Sequence, residues 1–406
     1  MPRLHSFIGF LALIFLAWIF SENRRKISVR TLLTGMGLQM FLALLLLKFP
    51  GNQQVFLYLN SVVKAIEEST RAGTGFVFGY LGGGTLPFKE TVPGSSYILA
   101  FRGLPLVLVI GALSALLFHW GIIPRVVKAF SWVLRRIMGI GGVEGLGAAA
   151  NVFVGMVESP LIVRPYLAEI SRSELFTIAG TVMVLYASIL REVIPGVMGH
   201  LLVASIISAP AAITVAKLMI PETSRLSGKD PDIPVEAKSA MDAITRGTLI
   251  GVRLLINIVA MLIVFVALLH LLNLILAFLP EIFGKPVTFQ RLVGYVMAPV
   301  TYLMGIPWSE AQTAGSLMGT KTVLNEFLAY LHMAALPAGT LSKRSELIMI
   351  YAMCGFANFG SLGIMIGGMG AMARERREEI VGLGLRSILA GTIATCMTGA
   401  LVGIIY

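Results

Sequence analysis

The sequence predicts an all-α polytopic membrane protein, with about eight transmembrane helices and two opposed re-entrant helical hairpins arranged as an inverted repeat. Composition is the first reason. Of 406 residues, 56% are hydrophobic and only 13% are charged, whereas a soluble domain is roughly a quarter charged. The second is length: apolar runs over 8–20, 32–47, 104–117, 254–279 and 380–405 approach or reach the ~20 residues that cross a bilayer as helix. The third is charge placement. The net charge of +11 is spread between apolar runs, as retained cytoplasmic loops require, and not gathered with aromatics on one face. Nucleic acid is therefore not an expected partner, and the lack of period-2 alternation excludes an outer-membrane barrel.

The elements follow in order. The first apolar run lacks a small-residue cleavage site and is followed by Arg24, Arg25, Lys26 and Arg30, so it is a retained helix and not a signal peptide. That basic cluster belongs in the cytoplasm, which puts the N-terminus outside. A helix over about 31–49 leads out to a polar stretch containing Gly82, Gly83 and Gly84, which no Lys-Ser/Thr follows, so it is not a phosphate loop. A helix over about 99–120 returns to Arg125, Lys128, Arg135 and Arg136. Ile122 to Met138 sets charges among large apolar residues at helical spacing, as in an amphipathic helix lying in the cytoplasmic interface; an ordinary loop helix is the alternative.

Two later basic clusters, within 221–253 and at Arg374, Arg376 and Arg377, belong on the same cytoplasmic side. The apolar material from about 292 to 336 must then enter and leave from outside as a re-entrant hairpin. Arg135, Arg136, Arg164 and Arg172 flank 145–170 and make it a hairpin from the cytoplasmic side. The expected organisation is scaffold helices with an extracellular segment and the interfacial helix over 1–140, and a first transport repeat of hairpin, broken helix and helix over 141–225. A cytoplasmic loop and long scaffold helix follow over 226–285, and the second repeat over 286–406.

Ionisable groups inside a membrane are costly and so point to function. Glu158 precedes Pro160 at a hairpin break; capping the second arm is the structural alternative. Glu326 stands in an apolar helix with Lys321 as the nearest charge, and a structural ion pair is the alternative. Asn358 and Ser361 are three apart and would share a helix face, flanked by Gly355, Gly360 and Gly363. A carboxylate beside an amide and a hydroxyl suits a diol, because it accepts from both hydroxyls. His200, His270 and His332 lack metal-ligand spacing, and Cys354 and Cys396 read as packing residues. No Ser-Lys pair, His-Glu-x-x-His or paired Asp stands in the apolar segments, so neither an enzyme nor a cofactor is expected.

Four stretches carry a resemblance to the concentrative nucleoside transporters of bacteria. They are Ala148 to Gly155 with Glu158-Ser159-Pro160 and Arg164-Pro165; Ser205 to Ala211 with Pro221-Glu222-Thr223; Thr320 to Phe327; and Cys354 to Asn358. The resemblance implies a homotrimer in the bacterial inner membrane that imports uridine-like nucleosides by an elevator motion, driven by sodium with protons as the alternative. It implies substrate binding by Glu158, Val157, Met156 and Val182 near the base, and by Glu326, Asn325, Asn358, Ser361 and Phe356 near the ribose. It implies sodium at Asn151, Val154, Thr177 and Ile178. Two departures from the family pattern stand out: Met156 and Val157 replace polar residues before Glu158, and the stretch from Glu174 to Gly180 is shorter by about two helical turns. The shortening makes a channel or a transport-impaired member the alternative expectation.

Overall fold

A computed structural model describes residues 2–48, 52–91, 95–153, 158–181, 197–224, 226, 237–281, 284 and 286–406. Described regular structure is helical throughout. The first third holds α1 (Pro2–Ile19), α2 (Val29–Lys48), α3 (Asn52–Phe78), α4 (Leu99–Arg102), α5 (Leu106–His119) and α6 (Ile122–Met138). The middle holds α7 (Gly142–Phe153), α8 (Glu158–Ile162), α9 (Arg172–Gly180), α10 (Val197–Met219) and α11 (Ala240–Leu276). The last part holds α12 (Phe289–Leu303), α13 (Trp308–Val323), α14 (Glu326–Ala334), α15 (Lys343–Met353), α16 (Phe359–Met372) and α17 (Arg377–Ile405).

Six stretches among the described residues are long and apolar enough to cross a membrane: α1, α2, α4 with α5, most of α10, α11, and α17 with the short turn before it. The remaining crossing material is discontinuous. The second repeat is α13 and α14 as hairpin arms, α15 and α16 as a broken helix, then α17. The first repeat has the same order in α7 and α8, α9, then α10, with 182–196 outside the described residues. The two repeats also pack reciprocally, since α9 lies against α17 while α15 lies against α10.

The second hairpin is shorter than the sequence suggests. Its arms begin at Trp308, and α12 is a separate helix laid along α13. The separation comes from a tight turn at Gly305, whose backbone takes φ +98°, a conformation other residues rarely adopt. The interfacial helix α6 has the expected bounds because Gly121 and Gly139, with φ +72° and +67°, bracket it. Its Val127, Leu134 and Met138 are buried while Trp132 and Val126 stay exposed, which suits a helix lying along an interface.

Packing divides the helices in a way the hydropathy pattern does not. Helix α1 runs along α17, and α2 along α10, so both sit with the repeats; α5 instead pairs with α11. Glycines permit that last pairing, as a Cβ at Gly247 would lie 2.4 Å from the Gly111 carbonyl oxygen, the close approach that small residues allow between membrane helices. Gly247→Leu is expected to destabilise the protein by roughly 1–3 kcal/mol through overpacking, read as a lower thermal unfolding midpoint in detergent. At the end with the first basic cluster, Glu22 accepts from Arg172 at 3.0 Å and also from Arg386. Burial pushes its carboxyl up, but those two guanidinium groups outweigh burial and hold it below the usual carboxylate range.

Candidate functional site

The break between α15 and α16 supplies the centre of the site. Helix α15 ends at Met353, and Cys354 and Asn358 take extended backbone, so Asn358 is the N-cap of α16 and does not share a helical face with Ser361. As in other N-caps, its Oδ1 accepts from a backbone N–H of the first turn, here that of Ser361 at 2.7 Å. This fixes which end of the amide faces away from the helix. The free end, Nδ2, donates to Glu326 Oε2 at 3.0 Å.

Glu326 is not inside a continuous helix either. The hairpin breaks at Leu324 and Asn325, Asn325 caps α14 by accepting from Leu328 N–H at 2.9 Å, and Glu326 is the first residue of α14. Both hairpin and broken helix thus begin their second arm with an asparagine cap, and the two caps hold a buried carboxylate against a buried amide: Glu326 is 5% exposed and Asn358 2%. A carboxylate at a helix N-terminus gains from the positive end of the helix dipole. Tyr330 donates to the Ile350 carbonyl at 2.6 Å and pins α14 to α15.

A cleft lies in front of this pair. Phe356, Asn358 and Ser361 line one side with Met365 and Met369, Ser387 and Gly391 of α17 line another, and Ile178 to Thr181 close it from α9. Glu326 stands one hydrogen bond behind the wall, on the Asn358 amide. The cleft offers the Asn358 amide and the Ser361 hydroxyl among apolar walls, with the Glu326 carboxylate directly behind that amide as an acceptor of hydrogen bonds.

The end of α9 forms the other half. Asn151 near the end of α7 donates to the Ile178 carbonyl at 3.4 Å and contacts the Thr181 hydroxyl, which itself donates to the Ile178 carbonyl at 2.9 Å. Asn151 Oδ1 is buried without a hydrogen-bond partner among the described residues. Thr177 is elsewhere: its hydroxyl donates to the Ser173 carbonyl at 3.0 Å, inside α9. Helix α9 runs on to Gly180, one turn beyond Thr177, so the hydroxyl at its end belongs to Thr181. A glycine directly before a hydroxyl residue, Gly180-Thr181, is the signal in the chain that could have found it. An orphaned amide oxygen, a carbonyl and a hydroxyl form an oxygen set that fits a hard cation.

Of the remaining expected residues, Val154, Met156, Val157 and Val182 lie outside the described residues, and Glu158 is described only as the first residue of α8. His200 is engaged in structure, 2.8 Å from the Tyr351 hydroxyl across α10 and α15. The structure also buries an ion cluster the sequence reading did not single out, in which Lys217 lies 2.9 Å from Glu144 and 3.2 Å from Glu222 and ties α10 to the foot of α7.

Comparison with known proteins agrees along the whole chain. Residues 200–403 match the model of the Na+ dependent nucleoside transporter C-terminus, residues 8–81 that of its N-terminus, and residues 100–201 a model described as nucleoside recognition. An uncharacterised transporter of Bacillus subtilis, YutK, is 37% identical over 99% of this chain and 99% of its own. The nucleoside permease NupC of Helicobacter pylori is 31% identical over 99% and 97%. Among solved structures, CNTnw in an inward-facing substrate-bound state superposes with a TM-score of 0.91 at 32% identity, covering 100% of this chain and 98% of that one. A CNTnw variant in an outward-facing state gives 0.90 at 31%, covering 100% and 98%.

Proposed function

Because the chain belongs to the Na+ dependent nucleoside transporter family, we propose that it imports nucleosides across a bacterial inner membrane, driven by a sodium gradient. Glu326 accepts the two ribose hydroxyls, with Asn358 and Ser361 completing the sugar site and Phe356 and Asn325 shaping it. The observation that carries this reading is the Asn358 amide, held by its own cap so that Nδ2 faces Glu326. Glu158, with Met156, Val157 and Val182, faces the base.

Sodium binds where Asn151, the Ile178 carbonyl and Thr181 converge, with Val154 as a further ligand. The N-terminus is outside, and three copies assemble. The moving body comprises the two repeats together with α1 and α2, which pack on α17 and α10, while α5 and α11 pair as the static frame. Relatives solved in inward- and outward-facing states support an elevator motion of that body. Matches that run the full length favour a carrier over the channel or transport-impaired alternative.

Uptake of radiolabelled uridine into proteoliposomes tests the whole reading. Accumulation stimulated by inward sodium is expected; accumulation driven by external acid and indifferent to sodium replaces sodium with protons, and no uptake under either gradient refutes the carrier. A paired substitution tests the ion site. Thr181→Ala is expected to raise the sodium concentration for half-maximal uptake by roughly tenfold, the equivalent of about one hydrogen-bond-sized interaction. Thr177→Ala leaves that concentration unchanged, because its hydroxyl meets the Ser173 carbonyl and the Glu144 carboxylate and not Asn151.

A further inference from the structure

Helix α6 carries Arg125, Lys128, Arg135 and Arg136 and no acidic residue. At ~100° per residue its side chains fall into three stripes. The first is covered by protein: Pro124, Val127, Ser131, Leu134 and Met138 are buried, where the helix packs on α7, α2 and α5. The second, made by Ile122, Val126 and Ile137, is apolar and stays between 37% and 45% exposed. The third is basic and lies between the other two, with Arg125 and Arg136 exposed at the edge that borders the apolar stripe. Trp132 stands within this basic stripe and is 65% exposed.

The two uncovered stripes together select an occupant. Water suits the cations but not the apolar stripe, and an apolar helix suits that stripe but not the cations. A phospholipid layer meets both. Its acyl chains cover Ile122, Val126 and Ile137, its phosphates reach the guanidinium groups, and Trp132 sits among the headgroups, where amphipathic rings collect. Arg125 and Arg136 have no carboxylate partner among the described residues, which leaves their planar donor forks to phosphate. A zwitterionic headgroup brings its own cation beside each phosphate and leaves the charge of the stripe unbalanced, whereas an anionic one balances it.

We propose that α6 is a binding surface for anionic phospholipid in the cytoplasmic leaflet, with Arg125 and Arg136 holding the headgroup phosphate. Its position gives the binding a mechanical consequence. Helix α6 joins α5, in the static frame, to α7, in the moving body. The contact with α7 is close, since a Cβ at Gly145 would lie 2.7 Å from Arg135 Cγ. Bound lipid therefore holds the joint between the two bodies in the plane of the interface. That consequence, unlike the binding, rests on the carrier reading.

Trp132 reads the binding directly. In the full chain with Trp18→Phe, Trp120→Phe and Trp308→Phe, reconstituted in phosphatidylcholine, brominated phosphatidylglycerol as a minor lipid is expected to quench Trp132 several-fold more than equal brominated phosphatidylcholine. Arg125→Gln with Arg136→Gln should weaken the anionic preference roughly thirtyfold, about fivefold for each charge near an anionic surface. The paired Arg→Lys variant should retain most of it.

Equal quenching by the two lipids overturns the proposal, and so does a preference that survives loss of both arginines. No quenching by either lipid assigns the face to protein, such as a second copy of this chain, and overturns it as well. If the single-tryptophan variant fails to fold, immobilisation of spin-labelled phosphatidylglycerol over phosphatidylcholine by the unsubstituted chain, lost with both arginines, decides the same question. Uridine uptake is expected to be several-fold slower in pure phosphatidylcholine than with phosphatidylglycerol present. Equal uptake removes the mechanical consequence; no uptake in either bilayer refutes the carrier reading, while quenching still tests the lipid surface.

Discussion

Glu326→Gln is expected to remove measurable uridine binding. The change is small in volume, and its effect comes from the fixed polarity of Asn358. Because Asn358 Oδ1 is engaged by the Ser361 N–H at 2.7 Å, its amide cannot turn over to meet a new partner. Nδ2 therefore goes on donating toward position 326, and the glutamine must turn its one acceptor oxygen to meet it. Its NH2 group then points where the carboxylate had offered a second acceptor, and a ribose hydroxyl arriving there finds a donor. Hydrogen bonds to a charged group contribute about 1.5–3 kcal/mol each; one is lost outright against a facing donor and the other falls to a neutral oxygen, so the cost is about 3–6 kcal/mol, or roughly 10²–10⁴ in affinity. Isothermal titration of uridine into purified protein measures it. Affinity within threefold of the unsubstituted protein would exclude Glu326 from the sugar site.

A nucleoside lacking both the 2′ and 3′ hydroxyls is expected to show a comparable loss against the unsubstituted protein. Here the protein is intact and the ligand fails to pair it. A buried carboxylate that gives up water on binding, and receives no hydroxyl in return, keeps its desolvation penalty. The expected weakening is again roughly 10²–10⁴-fold, while a nucleoside lacking one hydroxyl falls between. Competition against radiolabelled uridine ranks the three. Equal competition by the dideoxy compound would remove the diol argument without touching membership of the family. Combining that compound with Glu326→Gln adds a further check: if the carboxylate and the hydroxyls meet, the two losses are not additive.

Much of this architecture could be read from the chain. Apolar runs of bilayer length, the basic residues between them, and Gly- or Asn-interrupted segments in both halves all have local causes, so the crossings, α6 and the broken helix at Cys354 to Asn358 were legible. The acidic residue of the second hairpin was legible for the same reason, since an apolar environment advertises the cost of its charge. The start of that hairpin is misread from hydropathy alone. Taking 292–336 as one apolar stretch passes over Gly305 and Pro307, followed by Ser309, Glu310 and Gln312, which mark the turn that detaches α12.

The site residues divide along the same line. The chain alone marks Glu326, Asn358 and Ser361 as polar groups set among apolar membrane residues, with glycines beside the last two, but it reads Glu326 as lying within a helix and Asn358 and Ser361 as sharing a helix face. Tertiary structure decided what those groups face. Asn358 became a cap with a fixed amide turned toward Glu326, and Thr181, not Thr177, met Asn151. Each depends on where one helix ends relative to another distant in sequence. Helix α9 ends at Gly180, and its packing against α7 and α17 decides which of its hydroxyls stands beside Asn151.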